Sequence, residues 1–570
     1  MGREQDDRVA QDPALLASAV AHHQRGALEA AGQLYRRILA QDPRQPDALH
    51  LLGLVHHQQG DGVTARDLIG AALAWRPDDA AFWNNLGEVH RGLGEFDRAA
   101  DCYRQALRLR PAYADAQFNL GLALEGLGRT IEAEQSYRQA LAWQPDHPGA
   151  HNNLGWMLAR SGRREEGQAL LRRVLERHPV FAEAHNNLGI LLQEEGRLEA
   201  ATACFEAALI HRPGFVDALL NLGNTLQYQG NRDGARNCFE TVLTRHPGHA
   251  LARFGLGVDL LLRGRYREGW PWYEARLEEG MCRLTGQTIP SLPHPRWRGE
   301  PLAGRRILLV PEQGFGDQLQ FWRFAPRLAA AGAQVDLAVP APLWELARSL
   351  PGVGLVPLER LLALGSYDYW TFLLSLPWHL DLDQAGIAMD RPYVAPPPAR
   401  SAQWRQRLAQ GSAGRIRVGL VWSGNPEVRF DRFRSVPFDE LAMLFRVPGI
   451  AFISLQRGAV ARAAAPPPGT NWLAVGDEIG DFADTAALLD NLDLLISVDS
   501  APAHLAGAQG VPVWTLVRHN HDWRWLPGET RTPWYPAMRV FPQARLGEWG
   551  PVLAEVADGL AGLLAGGGLS

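Results

Sequence analysis

No segment of this 570-residue chain approaches the ~18 uninterrupted apolar residues that a membrane-spanning helix requires. The opening residues, MGREQDDRVAQDP, lack the apolar stretch of a secretory signal, and Asp6 stands where a myristoylation pattern needs Ser or Thr. No basic run occurs, and 57 Lys+Arg against 62 Asp+Glu leave a net charge of −5, so nothing pulls the chain toward nucleic acid. These absences predict a soluble, cytoplasmic protein with no membrane span and no nucleic-acid partner. Cysteine is scarce as well: Cys102, Cys204 and Cys238 are separated by 102 and 34 residues, and Cys282 stands apart. Three cysteines in one register point to periodic burial rather than to disulfides or a metal. No Gly-Lys-Ser/Thr follows a glycine-rich loop, which excludes a P-loop kinase or ATPase.

What is present begins with a period of 34. Proline recurs at Pro43, Pro77, Pro111, Pro145, Pro179, Pro213 and Pro247, and glycine at Gly53, Gly87, Gly121, Gly155, Gly189, Gly223 and Gly257. A second glycine series runs Gly26, Gly60, Gly94, Gly128, Gly162, Gly196, Gly230 and Gly264. Segments such as Trp83-Asn84-Asn85-Leu86-Gly87 and Tyr103-Arg104-Gln105-Ala106-Leu107 resemble tetratricopeptide repeats. A helix pair this short cannot bury its own apolar face, so the units are expected to stack into a solenoid. About seven full repeats and a closing partial one fit residues 12–283, after a flexible start at 1–11. The aromatic run Trp270-Pro271-Trp272-Tyr273 is suited to closing the array.

One register has two readings. Asn85, Asn119, Asn153, Asn187 and Asn221 also recur every 34 residues, on the first helix of each unit. A ladder of amides on an inner face can hold an extended peptide backbone, since an amide both donates and accepts. Eukaryotic-type O-linked N-acetylglucosamine transferase has a similar ladder. Asparagine is also habitual at this position in tetratricopeptide repeats, and that alternative stays open. On the first reading these five residues bind a protein or peptide acceptor.

Residues 284–303, with Pro290, Pro293, Pro295 and Pro301, read as a stiff connector. Beyond it, short apolar strands alternate with helical segments, the signature of parallel α/β sheets. Strands are predicted at 306–310, 334–339, 353–356 and 369–374, and, after Pro396-Pro397-Pro398, at 416–422, 450–455, 471–474, 493–498, 512–517 and 538–541. The proline run divides two Rossmann-like units, 304–398 and 399–570, the second carrying a helix end suited to a diphosphate. In the first, Ile307-Leu308-Leu309-Val310 leads through Gly314 and Gly316 to Asp317, a carboxylate at the end of a strand where open α/β sheets bind ligands. In the second, Leu494–Val498 leads to Asp499, Ser500 and a helix carrying His504. A helix N-terminus opened by Ser500 is suited to a diphosphate.

Gly316-Asp317 and Asp499-Ser500-Ala501-Pro502-Ala503-His504-Leu505-Ala506 together resemble the lipopolysaccharide heptosyltransferases of glycosyltransferase family 9, over about 306–545. The resemblance implies two Rossmann-like parallel-sheet units in the GT-B arrangement. It implies Asp317 as general base and Asp499 and His504 as contacts to the donor's sugar and diphosphate. A basic residue meeting the donor phosphates falls on Arg432 or Arg434, and Gln456 ends the neighbouring strand on the same cleft. Gly314, Gly316 and Ser500 complete the expected donor site. Ala501 departs from a common glycine, and Pro311-Glu312-Gln313 from the usual small or basic residues. Asp381-Leu382-Asp383 has the spacing of a metal-diphosphate site but falls in a loop, so a metal-independent enzyme without cofactor is expected.

The expectation is therefore an α solenoid followed by α/β, acting as a glycosyltransferase. It would move a sugar from a nucleotide-diphosphate donor to an acceptor, with a polypeptide as candidate, held partly by the repeats. The alternative is a repeat scaffold whose GT-B part binds a ligand or partner without catalysis.

Overall fold

The computed structural model describes residues 13–566 apart from 364, 389–390, 413 and 426–430; the expected flexible start lies outside these. The chain forms two compact units, 1–192 with 203–215, and 193–202 with 216–570.

The first unit is built of helices joined by short turns. From Pro46–Gln58 and Gly62–Trp75 onward, helices of 13 and 14 residues alternate. Each glycine of the second series takes a left-handed φ, as at Gly94 (φ 75°), which ends one helix and turns the chain into the next. The other series is set by close packing: a Cβ on Gly87 would lie 2.5 Å from the Tyr103 ring. The prolines fall two residues beyond the second helices, as with Pro111 after Phe96–Leu109. Tyr103 and Tyr137, one period apart, are both wholly buried, because equal register means equal surroundings. Of the three cysteines in one register, Cys102 and Cys238 are buried and Cys204 is half-buried, and none forms a disulfide, so periodic burial holds for two of the three.

The second unit begins with further helix pairs, Val216–Tyr228 with Arg232–Arg245, and Ala250–Leu262 with the shorter Tyr266–Tyr273. Two sheets follow. The first comprises β1 (Arg306–Val310), β2 (Gln334–Val339), β3 (Val353–Pro357) and β4 (Tyr369–Phe372), all parallel, in the order β3-β2-β1-β4. The second comprises β5 (Ile416–Val421), β6 (Ile450–Ser454), β7 (Trp472–Ala474), β8 (Leu494–Val498), β9 (Val513–Val517), β10 (Arg531–Thr532) and β11 (Tyr535–Pro542), in the order β10-β11-β9-β8-β5-β6-β7. Only the β10–β11 pair is antiparallel. Ten of these strands match the expected ones; β10 is additional, and β4 stops at Phe372, where the chain turns into a 3-10 helix, Leu373–Ser375.

Strand order reverses direction between β1 and β4 in the first sheet and between β5 and β8 in the second. A crevice opens outside the carboxyl ends of strands at such a point, and ligands bind there. The segment after β1 carries Gly314–Asp317; the segment after β8 carries Asp499–His504. The connector does more than cross a surface: Trp297 is buried and its N–H donates to the Trp370 carbonyl at 2.8 Å, on the edge of β4.

One apolar core joins the closing helices to both sheets. Trp270 and Tyr273 pack at ring-centroid distances of 5.3 and 5.6 Å against Trp523. Arg323 is buried within this core, its guanidinium donating to the carbonyls of Trp534 (2.7 Å) and Ile387 (3.2 Å) beneath the Tyr535 ring.

Candidate functional site

The carboxyl ends of β1, β5, β6, β8 and β9 open on one cleft of about 1030 Å³. Gly314, Gly316, Asp317, Arg434, Gln456, Asp499, Ser500 and His504 all line it. Arg432 does not: it is exposed, and its guanidinium donates to the Glu194 carbonyl. Its side chain points away because the short helix Asp431–Arg434 turns successive residues by about 100°.

Asp317 stands in the first turn of the helix Phe315–Phe321. Its Oδ2 accepts from Gly314 N at 2.9 Å, which caps the helix, and its Oδ1 accepts from Arg524 Nη2 at 2.5 Å. The Asp317 side chain keeps 22% of its surface exposed to the cleft. The inner face of this segment is apolar, with Leu319, Phe321, Trp322 and Phe324 fully buried. Gly316 serves packing as much as ligand access: a Cβ there would lie 2.8 Å from His504 Cδ2, so the glycine lets this helix meet the one bearing His504.

Arg524 belongs to no motif in the sequence, although a charge between Trp523 and Trp525 signals burial and hence pairing. It bonds Asp317, Asp522 (2.6 Å) and the Gln320 side chain (2.5 Å). Burial alone would depress the guanidinium, but the Asp522 and Asp317 carboxylates outweigh that and hold its pKa above the ordinary value.

At the second switch point, Asp499 Oδ2 accepts from Trp525 Nε1 at 3.0 Å, and its Oδ1 lies 3.5 Å from His504 Nε2. Burial would raise the carboxyl, yet His504, the Trp525 N–H and Arg524 hold it well below the usual carboxylate range. His504 is itself buried, with Nδ1 3.1 Å from the Tyr535 hydroxyl and its ring stacked on Trp525. It therefore orients Asp499 rather than standing free in the cleft. Ser500 occupies the N-cap position of Ala501–Gln509, but its hydroxyl pairs with Ser497 Oγ at 2.8 Å and makes no cap. Ala503 N–H folds back to the Ser500 carbonyl and Pro502 has no N–H, so this helix presents fewer free amides than a typical first turn.

Gln456 and Arg434 build the loop after β5. Gln456 Oε1 accepts from Trp422 N (3.1 Å) and Ser423 N (3.0 Å), tying the ends of β5 and β6 together. Arg434 donates to Asp431 through Nε (2.9 Å) and Nη2. The chain contains no lysine, so every fixed cation of the cleft is a guanidinium. Arg457 and Arg518 line the cleft too, and among the described residues neither has an ion-pair or hydrogen-bond partner. Nothing in their local sequence singles them out. They enter the site because β6 and β9, which they follow, end at the cleft.

The asparagines lie in the repeats, all half-buried. Asn119 Nδ2 donates to Asn84 Oδ1 (3.1 Å), Asn187 Nδ2 to Asn152 Oδ1 (3.0 Å), and Asn85 Nδ2 to His50 Nε2 (2.8 Å). Asn153 Nδ2 donates to the Tyr137 hydroxyl at 3.5 Å. In three of the four, the amide thus binds the side chain 35 residues before it, in the preceding repeat. In these residues the amide nitrogen serves the array, and the oxygens of Asn85 and Asn153 accept in turn from the side-chain amides of Asn84 (3.3 Å) and Asn152 (2.9 Å).

Comparison with known proteins finds matches both in the repeats and in the α/β part. Tetratricopeptide-repeat family models match residues 20–60, 44–112, 85–151, 124–188, 182–209 and 220–280. The model of glycosyltransferase family 9 (heptosyltransferase) matches residues 480–536, which include Asp499 and His504 but not Asp317. Protein FlbA of Caulobacter vibrioides is 30% identical over 326 residues, so the match spans 53% of this chain and 53% of FlbA. The solved structure of PilW, a type IV pilus biogenesis factor, is 25% identical and covers 37% of this chain and 98% of its own, with a TM-score of 0.34. YrrB, described as a TPR protein with an unusual peptide-binding site, is 27% identical and covers 32% of this chain and 95% of its own, at 0.26. Among the described residues no helix is long and apolar enough to cross a membrane. The chain thus joins a tetratricopeptide-repeat array to an α/β part whose residues 480–536 match the glycosyltransferase family 9 model.

Proposed function

We propose that the α/β part transfers a sugar from a nucleotide-diphosphate donor to an acceptor hydroxyl, with the repeats holding part of a polypeptide acceptor. The observation that carries this reading is convergence: the crevices at both switch points open on one cleft, bringing Asp317 to the side of Asp499, Ser500 and His504. The family 9 match over 480–536 supports the donor half of that set. In the transfer the acceptor oxygen bonds to the anomeric carbon while that carbon's bond to the phosphate oxygen breaks. The electron pair leaves with the nucleoside diphosphate, and the acceptor's proton passes to Asp317. Charge growing on the leaving group meets Arg457 and Arg518, whose planar forks suit phosphate oxygens.

Calorimetry tests the donor site. A nucleoside diphosphate should bind at least ~10-fold more tightly than its nucleoside, and Arg457→Ala with Arg518→Ala should remove most of that preference, since each charged hydrogen bond contributes ~1.5–3 kcal/mol. Equal affinity for nucleoside and diphosphate would overturn the assignment.

One observation favours the scaffold reading. Arg524 and Gly314 N–H each engage an oxygen of Asp317, so an acceptor hydroxyl must use a remaining lone pair. Tight nucleotide binding with neither donor hydrolysis nor transfer across protein, peptide and glycan acceptors would decide for the scaffold.

A further inference from the structure

Glu312 departs from the small or basic residues expected after β1, and the structure gives it a task. It is buried, and its carboxylate takes the fork of the buried Arg276, Nε to Oε2 at 3.1 Å and Nη2 to Oε1 at 2.8 Å. Leu374 N and Gln287 Nε2 also donate to it, both at 3.2 Å. Arg276 lies in the 3-10 turn Glu274–Leu277 that closes the last repeat, and it further donates to Ser375 Oγ at 3.0 Å and to Glu274. Each charged group of this cluster thus has a partner, as burial of an ion pair demands.

The cluster lies directly against the segment that carries Asp317. Gln313 follows Glu312 with a φ of 60°, a left-handed conformation that a side-chain-bearing residue holds only under constraint. Gln313's side chain reaches Tyr273, of the same closing segment. Gly314, Asp317's backbone partner, comes next. Tyr273 also packs on Trp523, whose neighbour Arg524 grips Asp317 from the other side. The closing turn of the repeats therefore supports both flanks of one carboxylate.

We propose that Arg276, through Glu312, and Tyr273 are positioning residues that hold Asp317 in the cleft, so that the last repeat is part of the reaction machinery rather than a tethered binding module. This rests on the transfer reading above for its kinetic consequence but not for its structural one. Breaking one member of a buried pair costs far more than replacing both, so the test uses Arg276→Met combined with Glu312→Gln, and Arg276→Lys alone as the milder variant. Displacing a reacting group by about 1 Å costs on the order of 10²-fold. In the double variant the transfer rate should fall by about 10–100-fold with donor affinity within about twofold of wild type. Arg276→Lys, which keeps the charge but loses the fork, should fall between the two. Hydrogen exchange followed by mass spectrometry should show amides of 313–318 exchanging faster. An unchanged rate with exchange altered only around 274–287 would overturn the proposal. If the double variant does not fold, Arg276→Lys decides by the same two readouts. If wild-type protein transfers nothing, the transfer reading fails, and exchange at 313–318 alone decides whether the turn positions Asp317.

Discussion

The repeats and the cleft use the same residue types under opposite rules. In the repeats, what happens at one position happens again 34 residues later: Gly87 meets the Tyr103 ring and Gly121 meets the Tyr137 ring, each at 2.5 Å for an added Cβ. In the cleft nothing recurs, and the partners come from afar, as with Arg524 and Asp317, 207 residues apart. Gly316 illustrates the difference. Its close approach is to His504, on another sheet's helix, and no periodicity announces it. The comparison teaches that register transmits environment only where neighbouring units are copies. Elsewhere a residue's role depends on the topology that brings strand ends together.

The largest expected effect is the one most specific to the cleft. Asp317→Asn keeps the size, and its carbonyl oxygen can still accept from Gly314 N, but the carboxylate base is gone. Transfer should drop by about 10²–10⁴-fold while donor affinity holds. Transfer near the wild-type rate would assign Asp317 to helix capping alone and leave the scaffold reading the stronger one.

A smaller effect sharpens the comparison from the repeat side. His50 shares its register with Asn84, Asn152 and Asn186, but burial pushes its pKa down to about 4, against the pull of Asp79 and Asp47. Its Nε2 accepts from Asn85, a bond that only the neutral ring can make. Because the folded pKa lies below the unfolded value of ~6.5, the unfolded state binds more protons in between. Stability is therefore complete above ~6.5 and is lost as pH falls toward 4, by up to about 3 kcal/mol. His50→Asn, which restores the register's amide, should remove that loss in thermal melts at about pH 7 and about pH 4.5. An unaltered pH dependence would mean that His50 is not the group responsible.

The smallest effect concerns the ladder. Asn119→Ala and Asn187→Ala should each lower stability by roughly 0.5–1.5 kcal/mol, because each removes an inter-repeat hydrogen bond. A loss of polypeptide-acceptor affinity larger than the loss of stability would show that the same amides also hold peptide.

By itself the amino-acid sequence determined the repeat array, since a 34-residue spacing of glycine and proline leaves one packing for each register. Apolar runs likewise determined ten of the eleven strands; β10, with only Arg531 and Thr532, is too short to carry a pattern. The glycines and acids after β1 and β8 were legible because strand-end motifs are local. Tertiary structure alone decided who their partners are. Strand order set Asp317 and Asp499 on one cleft, recruited Arg457 and Arg518, paired Arg524 with Asp317, and directed Arg432 away. It also turned Glu312 from an oddity into the anchor of the closing turn. The physical reason is the range of the forces: propensity and periodicity act along the chain, whereas ion pairing and burial act between whatever residues the sheets bring together.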